Sequence, residues 1–96
     1  MANVFVAIDG ELFINGRKVL KAWESFSGWH WFGIEEVQKQ DSVIGGNLCK
    51  DDVIWYGLVQ GLEEEWGDFS QAELESLKPH VWEIPKNKIV WSGRRQ

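Results

Sequence analysis

The chain has 96 residues, a 44% hydrophobic composition and a formal net charge of -5. This length is typical of one domain, so we expect a single domain over residues 1–96. No apolar run approaches the roughly 20 residues that cross a bilayer, and the lone Cys49 cannot form an internal disulfide. We therefore expect a soluble, cytoplasmic protein without a membrane partner. The negative charge opposes a phosphate backbone, which argues against direct nucleic-acid binding and favours a basic partner.

Two dipeptides near the N-terminus carry the clearest local signal. Asp9-Gly10 and Asn15-Gly16 are preferred pairs for two-residue hairpin turns, because both turn positions need positive φ. They predict a three-stranded antiparallel meander over residues 3–23. The first strand, residues 3–8, carries apolar residues on both faces, so we expect it to be central or covered on both sides.

A fourth strand is predicted to begin near Trp29. Alternation places Trp29 and Trp31 on one face of this strand, and the other face receives His30, Phe32 and Ile34. The nearly continuous apolar run at residues 53–59 predicts a strand that is buried on both faces and pairs with it at the centre of the sheet. Residues 38–52 contain Gly45-Gly46-Asn47 and little periodicity, which predicts a surface loop.

The sequence predicts one short helix near residues 70–78. Ser70 and Glu73 have the spacing of a capping box, and Phe69 is placed to pack on Leu74 as a hydrophobic staple. Pro79 ends the helix after about two turns, with Leu74 and Leu77 facing the sheet. Residues 81–84 and 88–91 are interpreted as short edge strands around Pro85, followed by a frayed basic tail at residues 94–96.

Together these elements predict an α+β, mainly β fold. It is an antiparallel sheet or a small barrel of about five to seven strands, with one short capped helix.

The segment from Trp29 onward resembles a family of short bacterial domains of unknown function from plasmids, phages and integrated elements. The resemblance rests on W-H-W at residues 29–31, Y-G-L-V-Q-G at residues 56–61 and E-E-E-W-G-D-F-S-Q-A-E-L at residues 63–74. The family pattern is close to W-x-W, F-G-L-V-x-G and E-x-E-x-G-x-F-S-x-x-E-L, and it covers about half of the chain. Tyr56 stands where the family has Phe, and the double hairpin of residues 3–23 replaces its N-terminal segment. The resemblance implies an accessory protein of a mobile element that acts on host machinery, and it implies no reaction.

An acidic cluster precedes the predicted helix and is the first candidate site. It contains Glu63, Glu64, Glu65 and Asp68, with Trp66 among them. An exposed Trp surrounded by acids is a plausible anchor for a protein partner with a basic surface. The alternative interpretation is a solvated loop whose last carboxylate approaches a helix N-terminus.

Trp29 and Trp31 form a second candidate, an aromatic surface for a small ligand or a stacking platform. Most of the other Trp rings are expected to lie in the core. His30 is interpreted as a packed structural histidine and Cys49 as an incidental loop residue, while Cys49 and His80 are too isolated to form a zinc signature. The sequence shows no catalytic motif, no metal-binding spacing and no cofactor motif.

The sequence thus favours a non-enzymatic binding protein, encoded by a mobile element, that presents an acidic and aromatic surface to a host or element protein. Antagonism of a host defence is one such role. Two alternatives stay open: a protein that sequesters a nucleotide-like small ligand, and an acidic mimic of nucleic acid.

Overall fold

The computed structural model describes residues 2–93 and contains two antiparallel sheets. A three-stranded sheet has the order β1-β2-β3, and a five-stranded sheet has the order β7-β6-β5-β4-β8. The strands are β1 (Phe5–Ile8), β2 (Glu11–Ile14), β3 (Arg17–Lys18), β4 (Lys21–Ser25), β5 (His30–Ile44), β6 (Asn47–Gln60), β7 (Glu64–Ser70) and β8 (Val81–Glu83). The expected mainly β fold is confirmed, as two open sheets rather than a barrel.

Both predicted hairpin turns are present in the three-stranded sheet. Asp9 and Gly10 have φ of 51° and 77°, and Asn15 and Gly16 have φ of 53° and 81°. These are the left-handed conformations that two-residue turns require, and they explain the Asp-Gly and Asn-Gly pairs. The pairing of β1 with β2 and of β2 with β3 follows directly from the turns.

The expectation that the first strand is central or covered is wrong. β1 is an edge strand, and Val4, Val6 and Ile8 are exposed on its outer side, while Phe5 packs towards the core. The predicted third strand, residues 17–23, is divided into β3 and β4. β3 pairs with β2 in the three-stranded sheet, whereas β4 pairs with β5 in the five-stranded sheet. Leu20 already donates its backbone N–H to Gly33 of the five-stranded sheet.

The loop predicted at residues 38–52 is instead a long β-hairpin formed by β5 and β6. Gly45 and Gly46, with φ of 57° and 83°, form its two-residue turn rather than a flexible loop. Three irregularities in register interrupt the pairing, which explains why the sequence shows no regular alternation there. Residues 53–59 do pair with the strand that follows Trp29, as predicted.

The five-stranded sheet packs against another layer on each of its faces. We call its two sides the meander face, which packs against the three-stranded sheet, and the helix face, which packs against α1 (Gln71–Glu75). Phe32 and Leu58 are buried on the meander face with Leu12 and Ile14 of the meander. On the helix face, buried side chains pack together as a second cluster: Trp23, Trp55, Leu74 and Val81.

Ser70 caps α1 as predicted, since its Oγ accepts a hydrogen bond from the Glu73 backbone N–H at 3.1 Å. Leu74 is buried, but Leu77 is 47% exposed, because the helix ends at Glu75 and Leu77 lies in the following turn. The strand predicted at residues 88–91 is wrong: a 3-10 turn (Lys86–Lys88) leads into α2 (Ile89–Gly93). The predicted basic tail at residues 94–96 lies outside the described residues.

Candidate functional site: an acidic and aromatic groove

Three residues of the acidic cluster, Glu64, Glu65 and Asp68, lie on strand β7, while Glu63 lies in the turn that precedes it. β6 and β7 form a hairpin around Gly61, Leu62 and Glu63, and Glu64 to Ser70 pair with β6. Side chains of successive strand residues point to opposite faces. The cluster is therefore divided, with Glu64, Trp66 and Asp68 on the meander face and Glu65 on the helix face.

Two of the residues on the meander face, Trp66 and Glu64, are held by intramolecular contacts. Trp66 is half-buried against the core, stacks on Tyr56 with ring centroids 5.9 Å apart, and donates its Nε1–H to Asn3 Oδ1 at 3.2 Å. Glu64 accepts hydrogen bonds from the side-chain amides of Asn3 and Gln60. Trp66 is thus not the freely exposed anchor that the sequence suggested, because its ring and its N–H group already have partners.

The helix face brings the two predicted sites together. Trp29, Val59, Leu62, Glu63 and Glu65 line an open groove of about 520 Å³, which we call the Trp29 groove. Trp31 lies beside it, since its ring centroid is 6.1 Å from that of Trp29 and its backbone pairs with Val59. Two of the predicted acidic residues and the predicted aromatic surface therefore form one site.

The position of Trp29 depends on Gly61. A Cβ atom at Gly61 would lie 2.4 Å from the Trp29 ring, so the ring packs directly on the glycine backbone. This contact fixes one wall of the groove next to the β6–β7 turn. Any larger residue at position 61 would displace the ring.

The groove remains open because α1 covers only part of the helix face. The helix packs over Trp23 and Trp55, and Trp31 packs against the edge of this cluster, whereas Trp29, Val59 and Glu65 line the groove. Leu62, at the hairpin turn, is 94% exposed. A leucine so exposed contributes almost no burial energy to the fold and is available to a partner.

The two histidines considered in the sequence analysis both pack against an aromatic ring. His30 is 5% exposed and stacks in parallel on Phe32, in agreement with a packed histidine. His80 packs against Phe26. Within residues 2–93 no three His, Cys, Asp or Glu side chains are grouped as metal ligands, and no helix of that segment is long and apolar enough to cross a membrane.

The sequence did not identify Leu62 or Val59 as site residues, although the Gly61-Leu62 turn between two strands was a usable signal. It also missed Asp52, which is 3% exposed and accepts hydrogen bonds from three elements. No local pattern marks Asp52, because its donors come from Ser42, Ser70 and Ala72.

Comparison of the chain with protein-family models, curated proteins and solved structures gives no match. Function is therefore inferred from the geometry and chemistry of the site itself.

Proposed function

We propose that this protein acts by binding another protein, and that the Trp29 groove receives arginine or lysine side chains from a basic segment of that partner. The observation that carries the proposal is the juxtaposition of the almost fully exposed Leu62 with the Trp29 ring and with two carboxylates. The role remains a non-enzymatic one. The resemblance to mobile-element domains supports a host or element protein as the partner, with antagonism of a host defence as one such role.

The chemistry of the groove favours a cationic side chain with an apolar stem. The Trp29 ring can accept a cation over its face, a contact that contributes about 0.5 to 1 kcal/mol at exposed sites. Leu62 and Val59 offer aliphatic surface to the methylene groups of arginine or lysine. Glu63 and Glu65 supply the negative charge, and no basic side chain is among the described residues that line the groove.

The same chemistry disfavours the nucleic-acid alternatives. Carboxylates at the rim repel phosphate groups, and the chain as a whole has a net charge of -5. Mimicry of nucleic acid needs acidic groups that follow one another along a single surface. Glu64 and Glu65 instead point to opposite faces of the sheet, which favours a compact protein-binding site.

A peptide titration followed by NMR tests the proposal. A short peptide of alternating glycine and arginine is titrated into the ¹⁵N-labelled protein, with a glycine and glutamate peptide as the ligand control. We expect the indole N–H signals of Trp29 and Trp31 and the backbone signals of residues 59–65 to shift. The Trp91 indole, which lies elsewhere, should not respond.

Two variants separate the charges from the apolar surface. Glu63→Lys with Glu65→Lys should weaken binding about fivefold or more, since each exposed ion pair contributes about 0.2 to 1 kcal/mol and becomes repulsive. That effect should shrink as salt screens the charges. Leu62→Ala should weaken binding at all salt concentrations.

The matched control is Glu36→Lys with Glu75→Lys, which makes the same change in net charge at exposed positions outside the groove. Equal losses in the groove variant and in this control would show only a general charge effect and would contradict the proposal. So would a peptide response at Trp91 but not at Trp29.

A further inference from the structure

β1 is one edge of the three-stranded sheet, and no strand within residues 2–93 pairs with its outer side. Edge strands expose a row of backbone N–H and C=O groups, and proteins usually protect them with charges, proline or bulges. β1 has none of these, because Phe5–Ile8 are uncharged and pair with β2 in an unbroken register. It is therefore an unprotected edge to which another strand can be added.

The other sheet edges of residues 2–93 do carry such protection. β3 consists of Arg17 and Lys18, and β7 contains three acidic residues. β8 has only three residues, one of which is Glu83. The part of β5 that extends beyond β4 is charged, and three irregularities in register interrupt it. The lack of protection is thus specific to β1.

The hairpin geometry defines which backbone groups of β1 are free. The Asn15 N–H donates to the Val4 carbonyl at 2.8 Å, and the Val4 N–H donates to Asn15 Oδ1, so both groups of Val4 point towards β2. In an antiparallel pair these groups alternate in direction from one residue to the next. Val6 therefore also faces β2, whereas the N–H and C=O groups of Phe5 and Ala7 point outward.

The outer face of the three-stranded sheet is apolar beside this edge. Three aliphatic side chains of the edge, Val4, Val6 and Ile8, are 58%, 43% and 50% exposed. Phe13 of β2 lies opposite Val6 on the same face. The charged neighbours on this face, Lys18 and Glu11, form a salt bridge with each other at 2.9 Å. The edge thus combines free backbone groups with an adjoining apolar surface.

We propose that this protein forms a symmetric dimer in which β1 pairs antiparallel with β1 of a second copy, so that the two three-stranded sheets become one continuous sheet. A two-fold axis at Val6 brings the outward groups of Phe5 opposite those of Ala7 in the other copy. Each such pair exchanges two N–H···O=C hydrogen bonds. Because both edges are used, the assembly closes at two copies.

The side chains of β1 are self-complementary in this register, which favours a second copy over an unrelated strand. Val6 faces Val6, and Val4 faces Ile8, so apolar side chains meet apolar side chains across the axis. Asp9 faces the uncharged Asn3, and no like charges are opposed along residues 3–9. A charged strand from another protein would instead place its charges against this apolar surface.

The size of the contact predicts a weak dimer. Stable complexes bury about 800 Å² per partner, whereas β1 offers a four-residue edge and three half-exposed aliphatic side chains. Each copy also has a net charge of -5, so the copies repel one another at long range. We therefore expect a dissociation constant between about 10 μM and 1 mM, and tighter association at high salt, which screens the repulsion.

Sedimentation velocity at several protein concentrations, at low and at high salt, measures the association, and amide hydrogen exchange locates it. We expect the amides of Phe5 and Ala7 to become protected as the protein concentration rises. The amide of Val6, which already bonds to β2, should change little. The indole signals of Trp29 and Trp31 should stay in place, because the Trp29 groove lies on the helix face and is independent of this contact.

Val6→Lys and Val6→Glu test the register, because the two Val6 side chains oppose each other at the axis. Each variant alone should be monomeric where the parent dimerises, since like charges then face one another, and a mixture of the two should form a heterodimer. Val37→Lys is the matched control, because Val37 of β5 is 44% exposed, close to the 43% of Val6. It should dimerise as the parent does.

Ala7→Pro tests the backbone groups independently of charge. It removes an outward N–H and no hydrogen bond to β2, and proline is tolerated at such positions of edge strands. The variant should fold as a monomer, as checked by circular dichroism. Ala7→Ser keeps the N–H at this exposed position and should still dimerise.

A protein that stays monomeric up to about 1 mM would overturn the proposal. So would equal effects of Val6→Lys and Val37→Lys, or a mixture of the two Val6 variants that forms no heterodimer. Oligomers larger than two would contradict the closed pairing. A peptide of alternating valine and threonine probes a foreign strand as the occupant. Protection of Phe5 and Ala7 by this peptide, but not by rising protein concentration, would also contradict the dimer.

Discussion

The Ser42 hydroxyl donates a hydrogen bond to Asp52 Oδ2 at 2.7 Å, and this contact links β5 to β6 within the long hairpin. The same carboxylate accepts hydrogen bonds from the Ser70 hydroxyl and, at 2.8 Å, from the backbone N–H of Ala72. Asp52 is only 3% exposed. A single buried carboxylate thus connects two strands of the hairpin with the cap of the helix.

We expect Asp52→Asn to lower the free energy of unfolding by about 1 to 3 kcal/mol, because an amide cannot accept all of these hydrogen bonds and leaves buried donors without partners. Urea unfolding measures the loss. Asp51→Asn is the matched control: Asp51 is exposed and has a φ of 57°, which Asn tolerates. It should change stability by less than about 0.5 kcal/mol, and an equal effect of both variants would argue against the role of Asp52.

Asp52 should also make stability depend on pH. Burial by itself raises the pKa of the Asp52 carboxyl, but hydrogen bonds from Ser70, Ala72, Ser42 and Val53 together hold that pKa below its ordinary value. A carboxyl whose pKa is lower in the folded state contributes stability above its unfolded pKa of about 3.9 and loses it as the pH falls through the folded value.

The difference in unfolding free energy between the parent and Asp52→Asn should therefore be constant near neutral pH and shrink below about pH 4. Urea unfolding at a series of pH values measures this difference. Because the two proteins have all other carboxyl groups in common, the titration of those groups cancels in the comparison. A difference that stays constant down to pH 2 would show that Asp52 is not the group responsible.

Gly57 and Gly67 are cross-strand partners with opposite tolerance for a side chain. A Cβ atom at Gly57 would lie 1.8 Å from the Phe32 carbonyl oxygen, whereas one at Gly67 would meet no atom within 4 Å. Gly57→Ala should therefore cost about 3 kcal/mol or more by separating β5 from β6. Gly67→Ala should be tolerated, and thermal unfolding of the two variants checks the contrast.

Leu62 and Leu74 provide a similar contrast for the proposed binding site. Leu74→Ala should lower the unfolding free energy by about 2 to 5 kcal/mol, because it opens a cavity under α1 where Leu74 is 5% exposed. Leu62→Ala should leave stability unchanged, since its side chain is almost fully exposed. A large destabilisation by Leu62→Ala would mean that this residue supports the hairpin rather than a partner.

The sequence by itself determined the features that depend on a few neighbouring residues. Asp9-Gly10 and Asn15-Gly16 form the predicted turns because their conformational preferences are local, and Ser70 caps α1 because its partner is three residues away. The strand at residues 53–59 was equally clear from its apolar composition, although only Trp55, Gly57 and Leu58 of this segment are buried. These interactions form at short range in the chain, so a local pattern is sufficient to predict them.

The tertiary structure decided which face of the sheet each residue occupies and which distant residues come into contact. Pairing of β6 with β7 placed Glu65 on the helix face, in the row of Trp31, and Glu64 on the meander face, although the two glutamates are adjacent in sequence. The tertiary structure also brought together Asp52 and its hydrogen-bond donors, which lie 10 to 20 residues away in the sequence. Register and sheet order place residues on a face, and both follow from the packing of the whole core rather than from any one segment.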